Sequence, residues 1–135
     1  MFPRRKTILT TALVAGLIGV VGCASSHNLS KDGHNTLGGG YQVSKVRDGI
    51  FHISARTNWA PWVNTSGARS SWRDRAREAC QSEKYRELEI AETSHDHLPP
   101  MGALLRYIVT TRTGYAVCDS ANLSDEEALK FVRNR

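Results

Sequence analysis

Nowhere do the 135 residues hold an unbroken apolar run long enough for a bilayer. A membrane-spanning helix needs about 20 mostly apolar residues. The best candidate, Ile8 to Val21, has 14 residues, four of them Thr or Gly. At about 1.5 Å per residue it reaches roughly 21 Å, short of the ~30 Å hydrocarbon core. Cysteine is scarce, three in all, and no two stand in Cys-x-x-Cys spacing, so a thioredoxin-type redox centre is excluded. Aromatics make up 7% of the chain, and a core this modest often requires a covalent staple. Absent too are the Gly-x-Ser-x-Gly elbow, the phosphate-cradling glycine loop and the metalloprotease helix motif, so no recognised nucleophile or cofactor motif is present. No cofactor is expected, and the chain reads as a non-enzyme. No internal repeat occurs.

What is present first is an address. Arg4-Arg5-Lys6 precedes the apolar run, and small residues close it, the pattern of a secretory signal. Val20-Val21-Gly22-Cys23 resembles the lipobox of bacterial lipoproteins. That resemblance implies a signal peptide over 1–22, cleavage after Gly22, and Cys23 as the lipidated N-terminus. Gly22 leaves the bond open to a peptidase, and the Cys23 thiol is the one side chain there able to take a thioether-linked diacylglycerol. Two or more acyl chains anchor a protein stably. Ala24-Ser25-Ser26 lacks an Asp, and the resemblance then favours the outer membrane, facing the periplasm. Formal charge is +5, from 18 Lys+Arg against 13 Asp+Glu. Without the three bases of the leader, 15 stand against 13, a net +2. Nucleic acid is therefore not an expected partner.

Residues 23–40 are rich in Ser, Asn, Gly and His. With so few large apolar residues they cannot offset chain entropy by burial, and a lipidated flexible tether is expected. His27 and His34 read as solvated. A periplasmic domain should fill 41–135. Gln42 to Val46 suggests a first strand, and Asp48-Gly49 a turn. Ile50 to Arg56 alternates, with Phe51, Ile53 and Ala55 on the apolar face. A helix is expected from Ala68 to Ser82, capped by Thr65 or Ser66, with Trp72, Ala76 and Cys80 on its inward stripe. Tyr85 to Glu92 reads as a strand with Leu88 and Ile90 inward and Glu87 and Glu89 outward. Thr93 to Gly102 reads as a loop. Ala103 to Thr111 and Tyr115 to Cys118 read as a hairpin turned at Arg112-Thr113-Gly114. Ser124-Asp125-Glu126-Glu127 is a capping-box pattern opening a short terminal helix. The fold class is α+β: a small antiparallel or mixed sheet, one main helix packed on it, and a short C-terminal helix.

Gly39-Gly40-Tyr41, Ile50 to Asn58, Arg75-Ala76-Arg77-Glu78-Ala79 and Tyr85 to Ile90 together resemble a loosely defined group of small proteobacterial lipoproteins of unknown function. The likeness covers about the middle 50 residues. It implies a fold and an address, not an activity.

Several residues are candidates for function. With Cys23 lipidated, Cys80 and Cys118 form an even pair, expected to bond in an oxidising compartment. Closing that loop contributes about 4 kcal/mol in the chain-entropy model. Trp59 and Trp62, around Pro61, suit a protein contact because an indole joins apolar area to a polar N–H. Core packing is the competing role. Arg69, Arg73 and Arg77 recur every fourth residue and suggest a basic helix face for anionic lipid, glycan or an acidic partner; a solvated face is the plain alternative. His95-Asp96-His97 offers imidazoles suited to Zn or Cu, although two ligands do not make a site. The expected function is a membrane-anchored envelope lipoprotein that supports or senses the envelope through protein contacts. The alternative is a small metal-binding protein or enzyme using His95, Asp96 and His97. If the lipobox reading holds, Cys23→Ser abolishes incorporation of labelled palmitate and leaves the precursor uncleaved at Gly22. Continued cleavage there, with the variant still on the membrane, defeats it.

Overall fold

The computed structural model describes residues 26–97 and 107–134. Cys23, with the signal segment, lies outside them, as do residues 98–106 of the β3–β4 connection. Four strands form one sheet: β1 (Gly40–Arg47), β2 (Ile50–Arg56), β3 (Tyr85–His97) and β4 (Tyr107–Cys118). Their order is β1-β2-β4-β3 with every neighbouring pair antiparallel. The expected α+β class holds, and the sheet is antiparallel rather than mixed. The main helix α2 (Thr65–Cys80) links β2 to β3, and β4 later inserts between them. α2 therefore lies across one face. A 3-10 turn at Asp119–Ala121 leads to α3 (Asp125–Arg133) on the other face. No helix among the described residues is long and apolar enough to cross a membrane.

The first hairpin turns at Asp48-Gly49, where Gly49 has φ 77°, a left-handed conformation costly for any residue with a Cβ. Ile53, Ala55 and Ala116 then meet Trp72 and Ala76 of α2, all fully buried. The Trp72 indole donates to the Ile53 carbonyl at 3.0 Å, satisfying its one polar atom inside the core. On the opposite face Ile50 and Val117 pack against Ala128 and Val132 of α3. The capping box forms as expected, Ser124 and Glu127 each bonding the other's backbone N–H.

α2 begins three residues earlier than the apolar stripe suggested, and its cap is Asn64, not Thr65 or Ser66. The Asn64 side chain accepts from Gly67 N at 3.0 Å. Its own backbone N–H donates to Thr110 Oγ1 at 2.9 Å, so the cap is tied to β4 as well as to the helix.

Three expectations are corrected. Arg112-Thr113-Gly114 does not turn; β4 runs straight through it as one of the sheet's two inner strands. Gly114 is there because β3 bulges over it. Register shifts between Leu88 and Ala91, so Glu89 and Ile90 together oppose one residue, the definition of a bulge. A Cβ on Gly114 would lie 2.4 Å from Ile90 Cδ1 and 3.1 Å from Ile90 Cα. Thr93 to His97 is strand rather than loop, because it pairs with Tyr107 to Thr111. The third correction concerns 26–40, which is not a free tether. Asn28 caps α1 (Leu29–Asp32), the His27 carbonyl accepts from Tyr41 N at 2.9 Å, and the Leu37 carbonyl accepts from Trp59 N at 2.9 Å. Backbone hydrogen bonds, rather than apolar burial, dock this arm on the sheet.

Cys80, at the end of α2, bonds Cys118, at the end of β4, with Cα atoms 5.3 Å apart and a sequence separation of 38. Non-reducing mass spectrometry of the isolated protein should find that crosslinked peptide. Reduction should lower stability by up to about 4 kcal/mol in denaturant titration. Free alkylated thiols, or an unchanged midpoint after reduction, contradict this.

Candidate functional site

The two tryptophans of the Trp-Pro-Trp loop have different roles. Trp59 is half-buried, its ring 5.8 Å from that of Tyr107 at 60° and pressed on Gly38, where a Cβ would lie 2.3 Å from the indole nitrogen. Core packing accounts for it. Trp62 is 52% exposed and its neighbour Val63 55%. The loop that carries them is fixed at both ends: Ala60 and Ile108 exchange backbone hydrogen bonds of 3.1 and 2.7 Å, and Asn64 is held by Thr110. An indole and an isopropyl group thus stand in water on a rigid mount, beside the end of the sheet where Leu37 is also exposed.

Arg69, Arg73 and Arg77 share one face of α2 as expected, around a shallow depression of about 240 Å³. They do not form an uncompensated basic patch. Arg69 pairs with Glu92 at 3.4 Å, Arg73 with Glu87 at 3.0 Å, and Arg77 with Asp74 at 2.8 Å and Glu83 at 2.7 Å. The expected outward Glu87 is instead on the α2 face. Behind these pairs sits Arg112, which the sequence reading placed in a turn. It is 5% exposed, its guanidinium 5.5 Å from the Trp72 ring centroid, and it bridges Glu87 and Glu92.

The β3 bulge makes this possible. Residues 87 and 92 are an odd number apart and on a regular strand would face opposite ways. The bulge shifts the phase by one, and both carboxylates reach Arg112. Burial alone would raise the Glu92 pKa; the hydrogen bond and charge of Arg112, with Arg69, outweigh it and hold the carboxyl below 4.5. Tyr85, on the same face, is shifted upward by burial and then by the nearby Glu87 charge. The sequence signal for this cluster is a charged residue two positions before a glycine inside a run of strand formers, which also fits a turn.

His95 and Asp96 are successive residues of β3, opposite Val109 and Ile108, so strand alternation sends them to opposite faces. Asp96 therefore does not share the face of His95; the side chain of His97 lies outside the described residues. Among the described residues no three His, Cys, Asp or Glu side chains gather in a metal-binding group.

The chain matches no family model, no curated protein and no solved structure. Its function is argued from its own residues.

The depressed Glu92 pKa has a sign. Its stabilisation is fully present above 4.5 and is lost as pH falls through the lower folded value. Denaturant titrations between pH 7 and pH 3 should therefore show Glu92→Gln costing more at the neutral end and flattening the acid limb. Arg112→Ala should cost about 3–5 kcal/mol at pH 7. An unchanged acid limb in Glu92→Gln contradicts the assignment.

Proposed function

We propose that this chain is a lipid-anchored envelope protein that works by binding a protein partner rather than by catalysis, and that Trp62 with Val63 is the contact. The observation that carries the reading is their exposure on a mount fixed by Ala60–Ile108 and Asn64–Thr110. Water-exposed apolar side chains held rigid lose little entropy on docking, and Trp is the residue type most enriched at binding hot spots. The address rests on the Val20-Val21-Gly22-Cys23 lipobox, which favours attachment through Cys23 to the outer membrane on its periplasmic side. The Cys80–Cys118 disulfide fits an oxidising compartment. The Arg69, Arg73 and Arg77 face lies outside this contact, because each guanidinium already pairs with a carboxylate of the chain.

Crosslinking in intact cells tests this. Trp62→Ala should lose the crosslinked partner, a binding cost of about 2 kcal/mol or more, while folding stability stays within about 0.5 kcal/mol. Trp59→Ala, which removes packing, should lower the melting temperature instead. Full crosslinking by Trp62→Ala removes this surface from consideration.

A further inference from the structure

The sheet face opposite α2 is covered at one end by α3 and flanked at the other by the arm carrying α1. Between them lies open sheet of unusual composition. Its side chains are Gln42 and Ser44 from β1 and His52, Ser54 and Arg56 from β2. β4 adds Thr111 and Thr113, and β3 adds Thr93 and His95. None of these nine positions is an Asp or Glu, although the opposite face holds Glu87 and Glu92. The arm walls this floor into two adjoining clefts of about 350 Å³ each, which share Leu29, His34 and Arg56. Thr111 and His95 line the second, next to Trp59. That size is within the range of small-ligand pockets.

Arg56 lies where the two clefts meet. It is exposed, and no carboxylate pairs with it among the described residues, whereas the arginines of α2 are engaged by acids. His34 approaches from the arm and His95 from β3. The nearest acid of the arm, Asp32, is turned toward the backbone N–H of Asn28 at 3.3 Å. A guanidinium offers a planar fork of N–H donors, each imidazole offers at least one N–H in either tautomer, and Thr111 adds a hydroxyl. We propose that this cleft binds an oxyanion, with a phosphoryl group as the head it takes. The guanidinium and imidazole donors reach the cleft from three elements: arm, β2 and β3. A tetrahedral phosphoryl with three terminal oxygens uses all three directions, whereas a planar carboxylate uses two. The ribbon of Ser, Thr and Gln along the floor suits a polar, hydroxylated remainder. This site is independent of the Trp62 contact and of the lipid anchor.

The test is an amide-resolved NMR titration of the full chain in maltoside micelles with inorganic phosphate, against acetate and chloride at matched ionic strength. Saturable shifts at Arg56, Thr111, His95 and His34 with phosphate, at least tenfold weaker with acetate, are expected. Arg56→Gln should weaken phosphate binding tenfold or more with its spectrum otherwise unchanged, since the side chain is exposed. Glycerol 3-phosphate and vesicles containing phosphatidylglycerol then separate a free phosphate ester from a lipid headgroup; Arg56-dependent binding of either supports the site. Shifts equal to those with chloride, or full binding by Arg56→Gln, overturn it. Acetate binding as tight as phosphate overturns the phosphoryl assignment. If Arg56→Gln loses spectral dispersion, His34→Gln with His95→Gln provides the same comparison.

Discussion

Arg112 is the constraint around which the two halves of the structure are arranged. A guanidinium 5% exposed, under an indole, is strongly destabilising unless its charge is compensated. Compensation comes from Glu87 and Glu92, and each of those carboxylates also holds an arginine of α2, Arg73 and Arg69. The result is a ladder of alternating charge running from the helix surface into the sheet. It fixes α2 to the β3 edge, whereas Trp72 and Ala76 fix it over β2 and β4. Apolar burial sets which face α2 covers; the ion pairs set how it lies along that face.

This arrangement requires an irregular strand. Without the bulge at Glu89 and Ile90, one of the two carboxylates would face away from α2. The bulge in turn requires a residue without a side chain on the partner strand, and Gly114 is that residue. The displaced Glu89 reaches Arg133 of α3 at 3.3 Å, so one irregularity serves packing on both faces. A single inserted backbone residue links the charge cluster, the glycine of β4 and the terminal helix.

The two faces of the sheet end up with opposite chemistry. The α2 face pairs Arg69, Arg73, Arg77 and Arg112 with carboxylates of the chain. Among the described residues the other face carries no acid between the arm and α3, and no carboxylate pairs with Arg56. Because the disulfide ties α2 to the end of β4, and the backbone of the arm is tied to β1 and to the Trp59 segment, these surfaces are held on a fixed frame. Surfaces held this way discriminate between ligands by position as well as by charge.

The sequence by itself determined what depends on local pattern. The alternation of Ile50 to Arg56, the Trp72–Ala76–Cys80 stripe and the Ser124–Glu127 capping box each act over a few residues, so each was legible without a structure. The pairing of Cys80 with Cys118 was legible because the expected lipidation of Cys23 leaves one even pair. Tertiary structure alone decided the rest. Gly114 could mean a turn or a close backbone approach, and only the strand lying across it distinguishes them. Arg112 could be solvated or buried, and only the phase shift in β3, a long-range matter of register, supplies its two carboxylates. Trp59 and Trp62 are three residues apart with the same side chain, yet one is packed on Gly38 and the other stands in water. Which partner each meets depends on residues distant in sequence, and local periodicity carries no record of them.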